Sequence, residues 1–251
     1  MMRRFRKPIS ENKRRAGAPA EDTLSGCSCA AAGGKMKNIV ITIARQYGSG
    51  GRTVGNMLAE RLGIHYYDKE LMKLAAEESG ISERMFVKAD ENVKTLSPLA
   101  RIAKNVYSGQ LLSPDNRDFT SEENLFNYQA EIIKKLAQTE SCVIVGRCAD
   151  YILQDCDHAV RCFVHAPMDF LMEQAAKKQP MRGKELEKFI EQTDRHRAAY
   201  YEYHTGQTWY DARNYDLCLD SSRLGFEGTV EEIIAYAKVR FGQDCFGKDS
   251  E

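Results

Sequence analysis

No run of apolar residues in this 251-residue chain approaches the roughly 18 that a membrane span requires. Net charge is also missing. Lys plus Arg number 36 and so do Asp plus Glu, which excludes a strongly basic nucleic-acid protein or an acidic tail protein on bulk charge. Six prolines are too few for a proline-rich linker protein. The five histidines are scattered without metal-ligand spacing, and no pair of the eight cysteines has the CxxC spacing of a zinc site. There is no internal repeat. Apolar residues make up 43% and charged residues 29%, as in ordinary soluble globular proteins. With Cys142, Cys162 and Cys218 inside apolar runs, where cysteine behaves as a small hydrophobe, reduced thiols and a cytoplasmic location are expected.

The balanced charge conceals an asymmetry. Residues 1–36 hold eight basic and three acidic side chains, so this segment is +5 and the rest of the chain −5. Ala, Gly, Ser and Pro dominate from Ala16 to Gly34, and such a segment cannot bury enough surface to offset its ordering entropy. It is expected to be a disordered extension. Met36 directly precedes the first strand-like run, so a start of translation there is the other reading. A basic arm for nucleic acid or membrane is the weakest of the three.

The remainder alternates strands and helices. Asn38–Ala44, Cys142–Val145, Ala159–Val164 and Tyr215–Leu219 are short apolar runs rich in β-branched residues, expected as buried strands, and His65–Tyr67 is a brief extended piece. Val54, Met57, Leu58 and Leu62 fall at helical spacing. Asp68 is placed to cap a helix running to about Glu78. Thr120-Ser-Glu-Glu123 and Thr229-Val-Glu-Glu232 have the capping-box pattern, and residues 168–203 read as largely helical. Strands alternating with helices predict an α/β fold with a parallel sheet covered on both faces.

The informative segment is Arg45-Gln-Tyr-Gly-Ser-Gly-Gly-Arg-Thr53, between the first strand and the first helix. Backbone N–H groups and a helix N-terminus both favour an anion there. Against the phosphate-loop pattern GxxxxGK[ST], Gly51 and Thr53 match, Gln46 replaces the first Gly, and Arg52 stands in the lysine position. Arg52 supplies a cation and Thr53 a hydroxyl for a metal ion. A plain glycine turn is the bland alternative.

Gly48-Ser-Gly-Gly-Arg-Thr53, Leu62-Gly-Ile-His-Tyr-Tyr-Asp-Lys-Glu-Leu71, Val143-Ile-Val-Gly-Arg147, Thr193-Asp-Arg-His-Arg197, Tyr200-Tyr201, Thr205-Gly206, Trp209 and Tyr215–Leu219 together resemble the cytidylate kinase-like proteins. These are a branch of the nucleoside monophosphate kinases. The resemblance spans about residues 38–240. It implies a three-layer P-loop fold with a parallel sheet over residues 37–245, an acceptor-binding insertion near 80–120, a helical lid near 170–195 and a short tail at 246–251. It implies that Gly48, Ser49, Gly50, Gly51, Arg52 and Thr53 hold the phosphates of ATP, with Thr53 assisting Mg²⁺. Asp68 and Arg147 would meet the acceptor nucleotide, and Arg52, Arg147, Arg195 and Arg197 would supply catalytic charge.

The chain departs from the family at two places. Cys148 stands where true cytidylate kinases have Asp in Gly-Arg-Asp, and Asp150 is the candidate substitute. The lid is poor in arginine, and its cations are Lys177, Lys178, Arg182 and Lys184. Several residues keep a bland reading as well: Asp68 as a cap, Arg147 as an ion-pair residue, Arg195 and Arg197 as a solvated helix face. Trp209 and its neighbouring tyrosines are expected to be packing rather than base-stacking groups. The expected function is transfer of the ATP γ-phosphate to a nucleoside monophosphate, CMP or dCMP first. The alternatives are a kinase of another small acceptor and a nucleotide sensor without turnover.

Overall fold

A computed structural model describes residues 38–91 and 109–246. The segment 1–36 and residues 247–251, with the expectations attached to them, lie outside these, as does 92–108 of the expected insertion. The first apolar run forms β1 (Val40–Arg45), followed by α1 (Gly51–Leu62), β2 (His65–Tyr67), α2 (Glu70–Ser79) and α3 (Glu83–Glu91). Then come α4 (Glu122–Thr139), β3 (Cys142–Val145), the one-turn α5 (Ala149–Ile152) and β4 (Ala159–His165). The chain continues through α6 (Met168–Ala176), α7 (Gly183–Thr205), a 3₁₀ turn (Ala212–Asn214), β5 (Leu217–Asp220) and α8 (Ser221–Phe241).

The sheet is five-stranded and parallel throughout, in the order β2-β3-β1-β4-β5. Strand periodicity divides the core between its two faces. Val40, Cys142, Ile144 and Ala159 pack with Leu71, Phe86, Leu125 and Ile133 beneath α2, α3 and α4. Ile41, Ile43, Val143, Val145 and Cys162 pack with Val54, Leu58, Val230 and Ile233 beneath α1 and α8. Both faces are buried, so the central strands read as continuous apolar runs rather than as an alternation.

The chain leaves β1 toward α1 on one face and β3 toward α5 on the other. These strands are neighbours, with Ile43 paired to Val145, so their carboxyl ends open a crevice between diverging loops. Open parallel sheets place their ligand sites at such a switch point.

Local differences from the sequence reading have identifiable causes. Asp68 does not cap α2. Lys69 occupies that position and Asp68 is drawn into ion pairs with Arg52 and Arg45. The cap of α4 is Ser121, not Thr120; its Oγ accepts from Asn124 N, shifting the capping pattern by one residue. The last helix begins at Ser221 rather than Thr229, because the Asp220 side chain accepts from Ser222 N and starts an earlier turn. It breaks at Gly225 (φ 67°, ψ 176°) and resumes where Thr229 Oγ1 donates to Gly225 O at 2.6 Å. The 168–203 region is two helices, α6 and α7, which form a small apolar cluster of their own around Leu171, Ala175, Leu186 and Ile190. Cys218 is exposed because β5 is an edge strand, whereas Cys142 and Cys162 are buried as expected.

Candidate active site

The loop between β1 and α1 needs glycine at two points. Gly48 (φ 88°) and Gly50 (φ 78°) adopt the left-handed conformation that other residues resist. A Cβ at Gly48 would fall 2.5 Å from Leu171 O, and one at Gly50 would fall 2.1 Å from the Phe226 ring. The loop is then tied down on three sides. Tyr47 N donates to Asp194 Oδ1 on α7 (2.8 Å), Ser221 Oγ on α8 donates to Ser49 O (2.7 Å), and Ala166 N donates to Gln46 Oε1 (3.1 Å). Gln46, where the loop pattern has glycine, thus joins the loop to the end of β4.

Two cavities adjoin at the carboxyl ends of β1 and β3. The smaller, about 190 Å³, is lined by Gly48, Gly50, Gly51, Thr53 and, from the far side, by Gln174, Lys177 and Lys178. The larger, about 580 Å³, is lined by Arg147, Cys148 and Asp150 from the β3 turn, by Lys69 and Met72 from the start of α2, and by α7. Its size suits a small ligand. Arg45, Arg52 and Arg197 border both cavities.

Each arginine has a distinct setting. Arg52 is half-exposed, and its Nε meets Asp68 Oδ2 at 2.7 Å. Arg197 is largely buried and donates to Asp194 Oδ1 (2.9 Å) and to Arg45 O (3.1 Å). Burial lowers its pKa and raises that of Asp194. Arg45 has a side chain 15% exposed, and its pKa is lowered to about 9 by burial first and by the Arg197 charge second. Arg147 occupies a left-handed conformation (φ 61°) between Gly146 (φ 79°) and Cys148 (φ 52°). Such conformations at non-glycine residues cluster where a side chain must be aimed.

Asp150 is buried at the floor of the larger cavity. Tyr201 Oη donates to its Oδ2 at 2.7 Å, and burial pushes its pKa up to about 6 against the restraining Tyr201 hydrogen bond. Trp209 also borders this cavity but is 5% exposed and packs edge-on against Phe163 at 5.3 Å, as expected of packing.

Of the residues expected at the site, Gly48, Gly50, Gly51, Arg52, Thr53, Arg147, Asp150 and Arg197 border the two cavities. Ser49 is buried beneath the loop and Asp68 stands one layer back, behind Arg52. Arg195 is not brought to the site. It is exposed on the outer side of α7 beside Lys184 and Lys188, two positions and hence about half a helical turn from Arg197. Lys177 and Lys178 face the loop cavity, whereas Arg182 donates to Gln179 O and Met181 O in its own turn. Sequence reasoning gave no role to Arg45 or Asp194 and took Tyr201 for packing, without its bond to Asp150. Asp194 was detectable in principle, lying three residues before Arg197 on one helix face.

Strand order, a glycine loop opening onto a helix N-terminus, and arginines around adjoining cavities define a P-loop kinase fold. The chain belongs to the cytidylate kinase-like family, whose sequence profile matches residues 40–223. The cytidylate kinase of Methanopyrus kandleri is 25% identical over 207 residues, covering 79% of this chain and 92% of that protein. An uncharacterized protein from Eubacterium ventriosum superposes with a TM-score of 0.58 at 25% identity, covering 80% of this chain and 99% of the other. The family and the fold make this protein kinase-like, a phosphotransferase that uses ATP.

Proposed function

We propose that this protein transfers the γ-phosphate of ATP to a nucleoside monophosphate, with CMP or dCMP as the first choice. The observation that carries this reading is the seam of Arg45, Arg52 and Arg197 shared by the two cavities. Phosphoryl transfer needs donor and acceptor phosphates in line with positive charge between them, and little covalent chemistry from the protein. In this reading the glycine loop and the α1 N-terminus hold the ATP phosphates, and Lys177 and Lys178 cover them from the far side. Arg147 grips the acceptor phosphate in the larger cavity. Asp150, held by Tyr201, accepts a hydrogen bond from the exocyclic amine of a cytosine, the part given to the family's Asp where this chain has Cys148.

The donor set fits magnesium bound mainly by the substrate. Among the described residues no cluster of three acidic, His or Cys side chains could hold a metal. Thr53, a hydroxyl-bearing residue, lines the loop cavity. Mg²⁺ keeps several waters and binds through phosphate oxygens with few protein ligands, so Thr53 is sufficient as the protein's contribution. The ion neutralises phosphate charge when bound; alignment is the work of the arginines and the loop.

ADP release from Mg-ATP with CMP, dCMP, UMP and AMP in turn tests the reading, on wild type and Arg147→Ala. Release with CMP or dCMP, lost in the variant, supports it. Release with another acceptor reassigns the larger cavity. ATP binding with no release for any of the four overturns the nucleoside monophosphate assignment and leaves a kinase of another small acceptor or a nucleotide sensor.

A further inference from the structure

Arg45 is a buried cation of the site with incomplete compensation. Its Nε is buried without a hydrogen-bond partner. Its ion pair is with Asp68 Oδ1 at 3.9 Å, and that carboxylate is engaged more closely by Arg52 at 2.7 Å. Asp68 Oδ1 is likewise buried with no hydrogen bond. The charges that act most on Arg45 are those of Arg197, Asp68, Arg52 and Arg147, three cations to one anion. A buried guanidinium among like charges is unfavourable unless an anion completes the cluster.

Two glycines clear the path of this side chain. A Cβ at Gly51 would stand 2.4 Å from Arg45 Cβ, and one at Gly146 would stand 2.6 Å from its guanidinium nitrogen. Gly51 is the first residue of α1, where the backbone has no positive φ to demand glycine. Its lack of a side chain is explained by the stem of Arg45. Gly146 lies at the end of the neighbouring strand β3, so the same arginine is accommodated by both loops that frame the crevice.

Arg52, which the loop pattern aligns with the phosphate-binding lysine, is half-exposed and already neutralised by Asp68. Arg45 is the buried cation that borders both cavities and lacks a full partner. We propose that Arg45 is a catalytic residue that contacts the phosphoryl group at the seam between the cavities, supplying from the end of β1 the charge that a loop lysine supplies elsewhere. The proposal rests on the kinase reading for its catalytic part and on the buried, unpartnered Nε of Arg45 for its phosphate contact.

The two parts separate experimentally with Arg45→Gln and Arg45→Lys in the full chain. Thermal unfolding is followed with and without inorganic pyrophosphate, and steady-state kinetics with whichever acceptor the wild type uses. Relief of an uncompensated charge predicts that unliganded Arg45→Gln melts no lower than wild type. Its stabilisation by pyrophosphate should be lost, kcat should fall about 1000-fold with KM for ATP changed far less, and Arg45→Lys should regain at least about tenfold. A structural role predicts the opposite: a lowered melting temperature with the pyrophosphate shift intact, or kcat within about threefold of wild type, and either result overturns the proposal. If wild type phosphorylates none of the four nucleotides, the proposed acceptor class fails on its own, and the pyrophosphate shift in Arg45→Gln still decides whether Arg45 holds phosphate.

Discussion

Two turns leave adjacent strands of one sheet and solve their geometry differently. After β1, left-handed residues are Gly48 and Gly50, which adopt that conformation at no steric cost. After β3, Gly146 is followed by Arg147 and Cys148, both with positive φ. Such residues cost about 1–2 kcal/mol each relative to a relaxed backbone. Under the proposed function, the contrast reflects which part of the chain binds. A loop that wraps an anion with its own N–H groups has no room for side chains, and Leu171 and Phe226 close over it. A turn that delivers a guanidinium must carry a side chain, so strain is retained where glycine would have removed it.

Substitution in the two turns should therefore separate stability from activity. Gly50→Ala is expected to have the largest effect, because the added methyl meets the Phe226 ring in a conformation already unfavourable for alanine. Stability should fall by about 3 kcal/mol and ATP binding with it, read by denaturant titration and calorimetry. Arg147→Gly should lower kcat/KM for the acceptor about 100-fold while stability stays within about 1 kcal/mol. If Arg147→Gly instead unfolds the protein, the β3 turn is structural and the contrast fails.

Asp150 sharpens the comparison through pH. Its folded pKa, about 6, lies above the ordinary 3.8, so the folded state binds the extra proton between these values and stability falls as pH rises through them. Across pH 4 to 6, wild type should lose about 2–3 kcal/mol relative to Asp150→Asn, with no further divergence above pH 7. The KM for a cytosine acceptor should rise as pH drops through 6, since a protonated carboxyl is a poorer partner for an amine. A flat difference between the two proteins across this range would show that Asp150 does not titrate as its burial demands. Cys148→Gly should have the smallest effect. Relief of the left-handed strain, about 1 kcal/mol, offsets the lost thiol packing against the aromatic cluster around Phe126 and Tyr201, leaving a net change under about 1 kcal/mol by calorimetry.

Much of the architecture is legible in the sequence. β2 and β3 fall where their residues predict, and β1 and β4 within two residues, because buried parallel strands are short β-branched runs bounded by loops. Helix starts were less legible. At Thr120-Ser121 two adjacent capping residues compete and the second captures the N–H of Asn124, and Asp220 captures that of Ser222 well before the pattern at Thr229. The glycine loop was recognisable by composition and position, as were Arg147 and Arg197 from the family motifs. Arg195 and Arg197 looked equivalent in one motif, yet two residues of helix send them to opposite sides. Arg45 reads as the first residue of the loop segment, and the structure makes it the last residue of β1. Its role emerges only when Gly51 and Gly146, almost a hundred residues apart, are seen to flank it.

The bond from Ser221 Oγ to Ser49 O joins residues 172 positions apart. During synthesis from the N-terminus, the glycine loop leaves the ribosome long before α8 exists to brace it. The ring of Phe226 that closes over Gly50 arrives just as late. A nascent chain that has completed β1, β3 and β4 therefore still lacks a finished nucleotide pocket, and competence to bind coincides with release of nearly the whole folded region. Domains acquire structure as units while translation proceeds. Here the first loop is braced only after the last helix among the described residues has been made.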